Sequence, residues 1–418
     1  MITSNIRQTD EKAEWLEDTA EQIEDGIEQL KQCRKDFGLS QQEVAKQAGI
    51  SRTYLADLES GRSKLTDSMK ERLKAALERL DPDHGLYLLV DYVRIRFKTT
   101  DTQYVINHIL GMKIEHMIYE EYGRYGYEEH YAFGNIVVYS TVDEEKGTLL
   151  ELKGQGSREF EGILEAQGRN WFDFFLKCIN EGCVFKRIDL AINDVRGILN
   201  IPELTEKCYE KECKTLFRTF KSYRSGELIK REEKIGMGHT LYIGSLSSDA
   251  YFCLYEKDYE QYIKAGIPID EVPVKNRFEI RLMNDRAEHA VMDLLERRDA
   301  DSTAFDIINR YIRFLDRDDT KEKDEWEVND RWAWFLGENR GKLKLTSDPK
   351  PFSIRRTLNW FSHQVCPTWK FLEEKDKLEE TSVMKDMFDN AQMSKRHETF
   401  LKQSQLKPAE VIYQEWEL

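Results

Sequence analysis

The hydrophobic period of this chain changes once, at Asp81-Pro82. From Leu39 up to that break apolar residues recur every three or four positions, whereas from LYLLVDYVRIRF (Leu86 to Phe97) onward they alternate. A helix gathers every third and fourth side chain on one face and a strand gathers every second one, so the break separates a helical unit from a sheet-bearing one. The expectation is a multidomain chain: an acidic helical segment at 1–38, an all-α unit at 39–80, an α+β unit with an antiparallel-rich sheet at 85–315, a charged linker at 316–330 and a small helical region at 331–418.

The all-α unit reads LSQQEVAKQAGISRTYLADLESGRSKL. Ser40 is a natural N-cap with Glu43 three residues on, the pattern of a capping box. Gln41 to Gln47 forms a first helix that stops at Ala48-Gly49. Ser51 caps a second helix to Glu59, with Leu55 and Leu58 facing inward and Gly61 ending it. Helix, glycine turn, helix is the spacing that lets one helix cross a DNA backbone while the next enters the major groove. The stretch closely resembles the lambda-repressor-like helix-turn-helix family. That resemblance implies that Arg52, Thr53 and Asp57 point toward base edges, with Ser51 as the cap, and that Gln41 and Arg62 meet phosphates.

A net charge of −15 opposes phosphate on average, but the charge is uneven. Residues 1–39 hold ten acids and five bases, whereas residues 40–80 hold six acids and eight bases. No apolar run is long enough for a membrane span and no secretory apolar core is present near Met1, so a cytoplasmic protein without membrane insertion is expected. Seven cysteines, an odd number, argue for free thiols; the pairs Cys178/Cys183 and Cys208/Cys213 are spaced more widely than usual zinc ligands.

Within the α+β unit, strands are expected at 86–97, 135–140, 148–153, 184–192, 240–244, 251–256 and 277–283, with helices at 158–167, 171–180, 202–211 and after Asp285. Three strands carry acids where neutral residues would be easier: Glu151 in GTLLELKGQG, Asp189 and Asp194 in FKRIDLAIND, and Glu279 in NRFEIRL. Carboxylates converging across a sheet make a hard-oxygen site suited to Mg²⁺ or Mn²⁺. Between them lies HTLYIGSLSSDAYFCLYEK, in which Tyr251 and Tyr255 fall on one strand face with Lys257 close behind. Spacing leaves the choice of nucleophile open between the two tyrosines.

The order RIDLAIND, LYIGSLSSDAYFCLYEK, RFEIRL resembles the Rep_trans family of rolling-circle plasmid initiators, and with the front unit the chain resembles the MobT-type relaxases of integrative and conjugative elements. The resemblance implies that Tyr255 is the catalytic tyrosine, assisted by Lys257 and Arg187, and that Asp189, Glu279 and the less constant Glu151 hold a divalent metal. Asn193 stands where many members have a second Asp; Asp194 follows, but alternation turns it to the other face. The implied function is a strand-specific DNA relaxase that nicks an origin of transfer and keeps the 5′ end as a phosphotyrosine. A plasmid replication initiator and a non-catalytic repressor are the alternatives.

None of the eight histidines forms His-x-His, so a histidine-pair metal site is not expected, although His239 lies near the tyrosines. There is no G-x-x-x-x-G-K-[ST] loop, so unwinding would need a helicase partner, alongside a coupling protein of the conjugation machinery. DNA, double- and single-stranded, is the expected ligand. In the last region Trp332, Trp334, Trp360 and Trp369 read as core residues, and Arg355 and Arg356 as possible phosphate contacts.

Overall fold

Alternating apolar residues build one ten-stranded sheet in which every neighbouring pair is antiparallel. In the computed structural model, residues 26–36, 39–80, 85–226, 236–337, 342–350, 358 and 361–413 are described. The strands, in chain order, are β1 (Leu86–Phe97), β2 (Ile118–Glu120), β3 (Glu129–Phe133), β4 (Ile136–Ser140), β5 (Thr148–Lys153), β6 (Val184–Asp194), β7 (Cys213–Thr215), β8 (Phe220–Gly226), β9 (Gly236–Ile243), β10 (Ala250–Glu256), β11 (Asn276–Met283) and β12 (Ile312–Phe314). The sheet runs β2-β3-β4-β5-β1-β6-β11-β10-β9-β8, and β7 and β12 pair separately.

That order is a duplication. In the first half β1 is followed by a four-strand meander whose last strand, β5, returns beside β1; in the second, β6 is followed by β8 to β11, and β11 returns beside β6. Each return strand feeds two helices: Gln155–Ala166 and Trp171–Asn180 after β5, Asp285–Arg297 and Ala300–Tyr311 after β11. The residue ahead of each first helix has the same unusual backbone, φ 52° and ψ −101° at Gly154, φ 48° and ψ −129° at Asn284. The halves meet where β1 pairs β6.

One face of the sheet carries Leu88, Val90, Ile188, Leu190, Ile192, Phe252, Leu254, Phe278 and Ile280, all buried in one core beneath the helices. Burying such side chains is worth about 1.5–3 kcal/mol each, which fixes the register because a one-residue slip would turn them to solvent. The opposite face is left to polar side chains. Asp194 belongs to the core face: it is fully buried and accepts from Gly197 N (2.8 Å), Leu199 N (2.8 Å) and Asn276 Nδ2 (3.0 Å), holding the turn after β6.

The strands missing from the sequence reading, β2, β3, β7, β8 and β12, are short or lie toward the sheet edges, where alternation has little to act on. Residues 316–330 do not separate two cores. Leu315 bridges Val328, the helix Asp330–Leu336 follows, and Trp332 packs on Phe278 and Phe314 in the main core. Trp334 packs against the same core, while Trp369 is 37% exposed. The expectations for Trp360, Arg355 and Arg356, and for the acidic helical segment over 1–25, fall outside the described residues.

The front unit has its own core of Leu30, Val44, Ala45, Leu55, Leu58, Leu73 and Leu77. Ser40 and Glu43 form the capping box and Ser51 accepts from Tyr54 N, as their spacing predicts. Gly49 sits at φ +64°, which a side chain would strain, and Arg72 Nη2 ties the turn through Ala48 O at 2.6 Å.

Candidate active site and DNA-reading helices

The polar face of the sheet floors an open cleft of about 1110 Å³. Register sets its residues in rows: Asn193, Arg277 and Tyr255 stand opposite one another across β6, β11 and β10, as do Ala191, Glu279 and Cys253, and Asp189, Arg281 and Tyr251. Two expected acids therefore reach one place from neighbouring strands. Asp189 receives two hydrogen bonds from Arg187, Nε–Oδ1 2.8 Å and Nη2–Oδ2 2.6 Å. Glu279 receives two on Oε2 from Arg281, from Nη2 at 2.6 Å and Nε at 2.9 Å, and Arg281 Nε also lies 3.8 Å from Asp189. Burial, and then the charge of Glu279 against the pull of Arg187, push the Asp189 carboxyl up to about 6.

Tyr255 and Tyr251 share a strand face but not an environment. Tyr255 lines the cleft, donates to Glu279 Oε1 at 2.9 Å and receives Lys257 Nζ at 3.3 Å. Tyr251 is only 5% exposed, receives Arg281 Nη1 at 3.3 Å and is not part of the cleft wall. Burial, then the Glu279 charge, hold the Tyr255 phenol well above its ordinary value, and Arg277 opposes them. Lys257 is itself lowered by burial and by Arg277, and it is paired to Glu260.

Of the two cations expected to assist the phenol, Lys257 is at the hydroxyl. Arg187 is instead on Asp189, with its guanidinium stacked 4.2 Å from the Tyr92 ring centre. The cation the sequence reading passed over is Arg277, which reaches Asp91 Oδ1 (2.7 Å), Asn193 Oδ1 (2.7 Å) and the neighbourhood of Glu279 (3.9 Å). Asp91 was equally hidden. The β1–β6 register steps from Val90↔Leu190 to Tyr92↔Asp189, so Asp91 is the extra residue of a bulge, and the bulge aims it at Arg277. Only the break of alternation at Val90-Asp91-Tyr92 hints at it in the sequence.

Glu151 is not brought into a cluster with Asp189 and Glu279. It lies on β5, beyond β1, and its oxygens accept from Tyr92, from Tyr125 at 2.7 Å and from Tyr139 at 3.0 Å. Burial raises its carboxyl, but the three phenols outweigh that and hold it below its ordinary value. Among the described residues no three His, Cys, Asp or Glu side chains form a metal cluster. The cysteines are all free, and His239 sits in the cleft wall with Nδ1 2.9 Å from Glu256.

On the second helix of the front unit Ser51, Arg52 and Thr53 are exposed, and Asp57 is partly exposed and paired to Arg62 at 3.1 Å. Gln41 differs from its expected phosphate role: its amide donates at 2.8 Å to buried Glu59, which also takes two bonds from Arg34. A buried carboxylate binds its donors more strongly than solvent would, so Gln41 joins the packing of the unit.

Residues 183–388 match the family described as replication initiation factor, residues 87–177 the rolling circle replication initiation protein N-terminal domain, and residues 30–80 the helix-turn-helix family. The first two matches fall one on each half of the duplicated sheet. The chain is 38% identical over 317 residues to a protein of Bacillus subtilis (strain 168) named "Putative DNA relaxase NicK", covering 76% of this chain and 89% of that one. A solved structure of a rolling circle replication initiator protein from Geobacillus stearothermophilus superposes with a TM-score of 0.54 at 26% identity, covering 63% of this chain and 99% of the other. Two half-sheets, an acid-arginine-tyrosine floor and a helix-turn-helix in front thus coincide with these matches, and the chain belongs to the family of DNA relaxases and rolling-circle replication initiators.

Proposed function

We propose that this protein nicks one strand of DNA by transesterification through Tyr255, at an origin of transfer recognised by its helix-turn-helix unit. The observation that carries the reading is the Tyr255–Glu279 hydrogen bond of 2.9 Å inside the cleft, a nucleophile in reach of an acceptor for its proton. Ionising a tyrosine at neutral pH costs about 4 kcal/mol, and burial adds to that here, so attack must be concerted with proton removal. As the phenolic oxygen bonds to phosphorus, Glu279 takes its proton. The bond to the 3′ oxygen breaks, that oxygen takes a proton from water, and the 5′ phosphate stays on Tyr255. Lys257 and Arg277 face the charge that develops on the phosphoryl oxygens.

A hard divalent cation would be held by Asp189 and Glu279, buried carboxylates on neighbouring strands, in exchange for part of their pairing to Arg187 and Arg281. Bound there, Mg²⁺ or Mn²⁺ would polarise the scissile phosphate. We place the protein in the cytoplasm, with a helicase and a conjugative coupling protein as partners; no described helix is long and apolar enough to cross a membrane. The test is incubation with supercoiled DNA carrying the element's own origin, with Mg²⁺ or Mn²⁺ and with a chelator. Open circles bearing a covalent 5′ adduct on Tyr255 are expected only with metal. DNA bound but never cut would mean a repressor, and an adduct on another residue would overturn the assignment.

A further inference from the structure

The first half of the sheet has its own version of the cleft floor, and it carries aromatic rings instead of a nucleophile. Between β2 and β3 runs Glu121-Tyr122-Gly123-Arg124-Tyr125-Gly126-Tyr127-Glu128. Tyr119, Tyr122 and Tyr125 are 46%, 55% and 48% exposed, a concentration of open phenol rings within seven residues. The rings are held in place from behind. The Tyr125 hydroxyl donates to Glu151 at 2.7 Å, with Arg94 4.6 Å from its ring centre and Tyr139 edge-on at 5.8 Å. Tyr122 meets His130 edge-on at 4.8 Å, and its carbonyl lies 2.6 Å from His130 Nδ1.

The loop backbone is equally constrained. Tyr127 N closes a turn on Arg124 O at 2.9 Å, and Tyr125 and Gly126 are both left-handed, at φ 58° and 76°. A Cβ on Gly123 would come within 2.3 Å of Tyr127 O. A non-glycine residue at positive φ is uncommon and persists where surrounding contacts fix it, as the Glu151 bond does here. Solvent-facing rings that are already immobilised lose little entropy on stacking.

Tyr122 and Arg124 line the same cleft as Tyr255. Four strand spacings, from β10 through β11, β6 and β1 to β5, separate Tyr255 from Glu151, about 19 Å. The acids nearest the rings are engaged: Glu120 with His130 and Arg396, each at 3.1 Å, and Glu129 with the Tyr119 hydroxyl at 2.5 Å. Glu121 and Glu128 keep the loop from being strongly basic. That balance favours a ligand held mainly by stacking.

We infer that the Tyr122–Arg124–Tyr125 loop is a stacking platform for single-stranded DNA running along the cleft from the nicking residue. It rests on the nicking reading above. Stacking of a base on an aromatic side chain tolerates any sequence, because every base has a flat face, and each stacked base is worth a five- to hundredfold change in affinity, roughly. Arg124 is the phosphate contact.

The test uses the full-length protein and a fluorescein-labelled oligothymidine of about 12 nucleotides, followed by anisotropy over a range of salt. Tyr122→Ala and Tyr125→Ala are each expected to weaken binding by about five- to hundredfold with no change in salt slope. Tyr125→Phe, which keeps the ring but loses the Glu151 bond that holds it, is expected to bind less tightly than the parent and more tightly than Tyr125→Ala; an affinity as low as that of Tyr125→Ala would mean a merely structural loss and overturn the platform. Arg124→Ala lowers the salt slope by about 0.7. Binding of a duplex operator through the front unit stays unchanged in all four. Alanine variants that hold oligothymidine as tightly as the parent, or a parent that does not hold it, overturn the platform. Nicking of supercoiled DNA by the parent, measured in parallel, shows separately whether the catalytic reading stands.

Discussion

Tyr255 gives its phenolic hydrogen to Glu279, whereas Tyr251, four residues earlier on the same strand face, receives a hydrogen from Arg281. The two tyrosines are equivalent in spacing and opposite in chemistry, because only one faces the cleft with a carboxylate to receive its proton. Tyr255→Phe is expected to abolish the covalent DNA adduct and the nick while leaving DNA affinity intact, at a stability cost of about 1 kcal/mol for one hydrogen bond. Tyr251→Phe should still form the adduct. Gel shift of denatured protein-DNA complexes reads both, and an adduct in the Tyr255 variant would sink the assignment.

Glu279→Gln keeps the shape of the side chain and an oxygen for Tyr255 but removes the basic charge. Nicking is expected to fall by about 10² to 10⁴, the usual contribution of a positioned general base, with duplex binding unaffected. Single-turnover rates against anisotropy-measured affinity separate the two; a variant within a few-fold of the parent rate would show that the proton goes elsewhere.

Arg277 binds Asp91 and Asn193 through two different nitrogens, a fork that lysine cannot supply. Arg277→Lys is expected to lower unfolding free energy by about 1–3 kcal/mol, since a buried polar group loses its partner, and to slow nicking at unchanged DNA affinity. Denaturant melts together with nicking rates check it. An unaltered melt would mean that the bulge at Asp91 does not depend on this arginine.

Asp194 lies next to Asn193 in sequence and behind it in space. Asp194→Asn should destabilise the protein by about 1–3 kcal/mol, because one of the two oxygens that accept from Gly197 N and Leu199 N becomes an NH₂ facing a donor, yet leave the nicking rate per folded molecule as it was. A specific loss of metal-dependent activity in a fully folded sample would place Asp194 in the site instead.

Arg52 is exposed at the start of the second helix of the front unit. Arg52→Ala is expected to reduce discrimination between the cognate origin and random duplex by about 1–3 kcal/mol, one bidentate base contact. Competition binding measures it, and an unchanged preference would remove Arg52 from sequence reading.

Legibility followed burial. Where one face of a strand is apolar, as in Leu86–Phe97 or Thr148–Lys153, alternation located it to the residue, and Asp189 and Glu279 stood out as polar breaks in otherwise apolar runs, whereas only the family resemblance separated Tyr255 from Tyr251. Short strands such as β2 and β7 have too few residues for a period. Register was out of reach as well: that Asn193, Arg277 and Tyr255 share a row depends on pairing β11 both with β10 just before it and with β6, some eighty residues earlier. The same long-range geometry turned Asp91 toward Arg277, sent Glu151 to three tyrosines and committed Gln41 to Glu59.

The floor of the cleft interleaves acid with base, Asp91 with Arg277, Asp189 with Arg187 and Glu279 with Arg281. Such paired charges largely cancel at a distance, so the floor itself adds little to the field that a distant phosphate meets. At contact distance it behaves differently, because each guanidinium is already oriented by a carboxylate and can exchange that partner for a phosphate without being desolvated anew. On the proposed reading the cleft would act as an ion exchanger: indifferent to DNA from afar, and selective once a strand is laid into it.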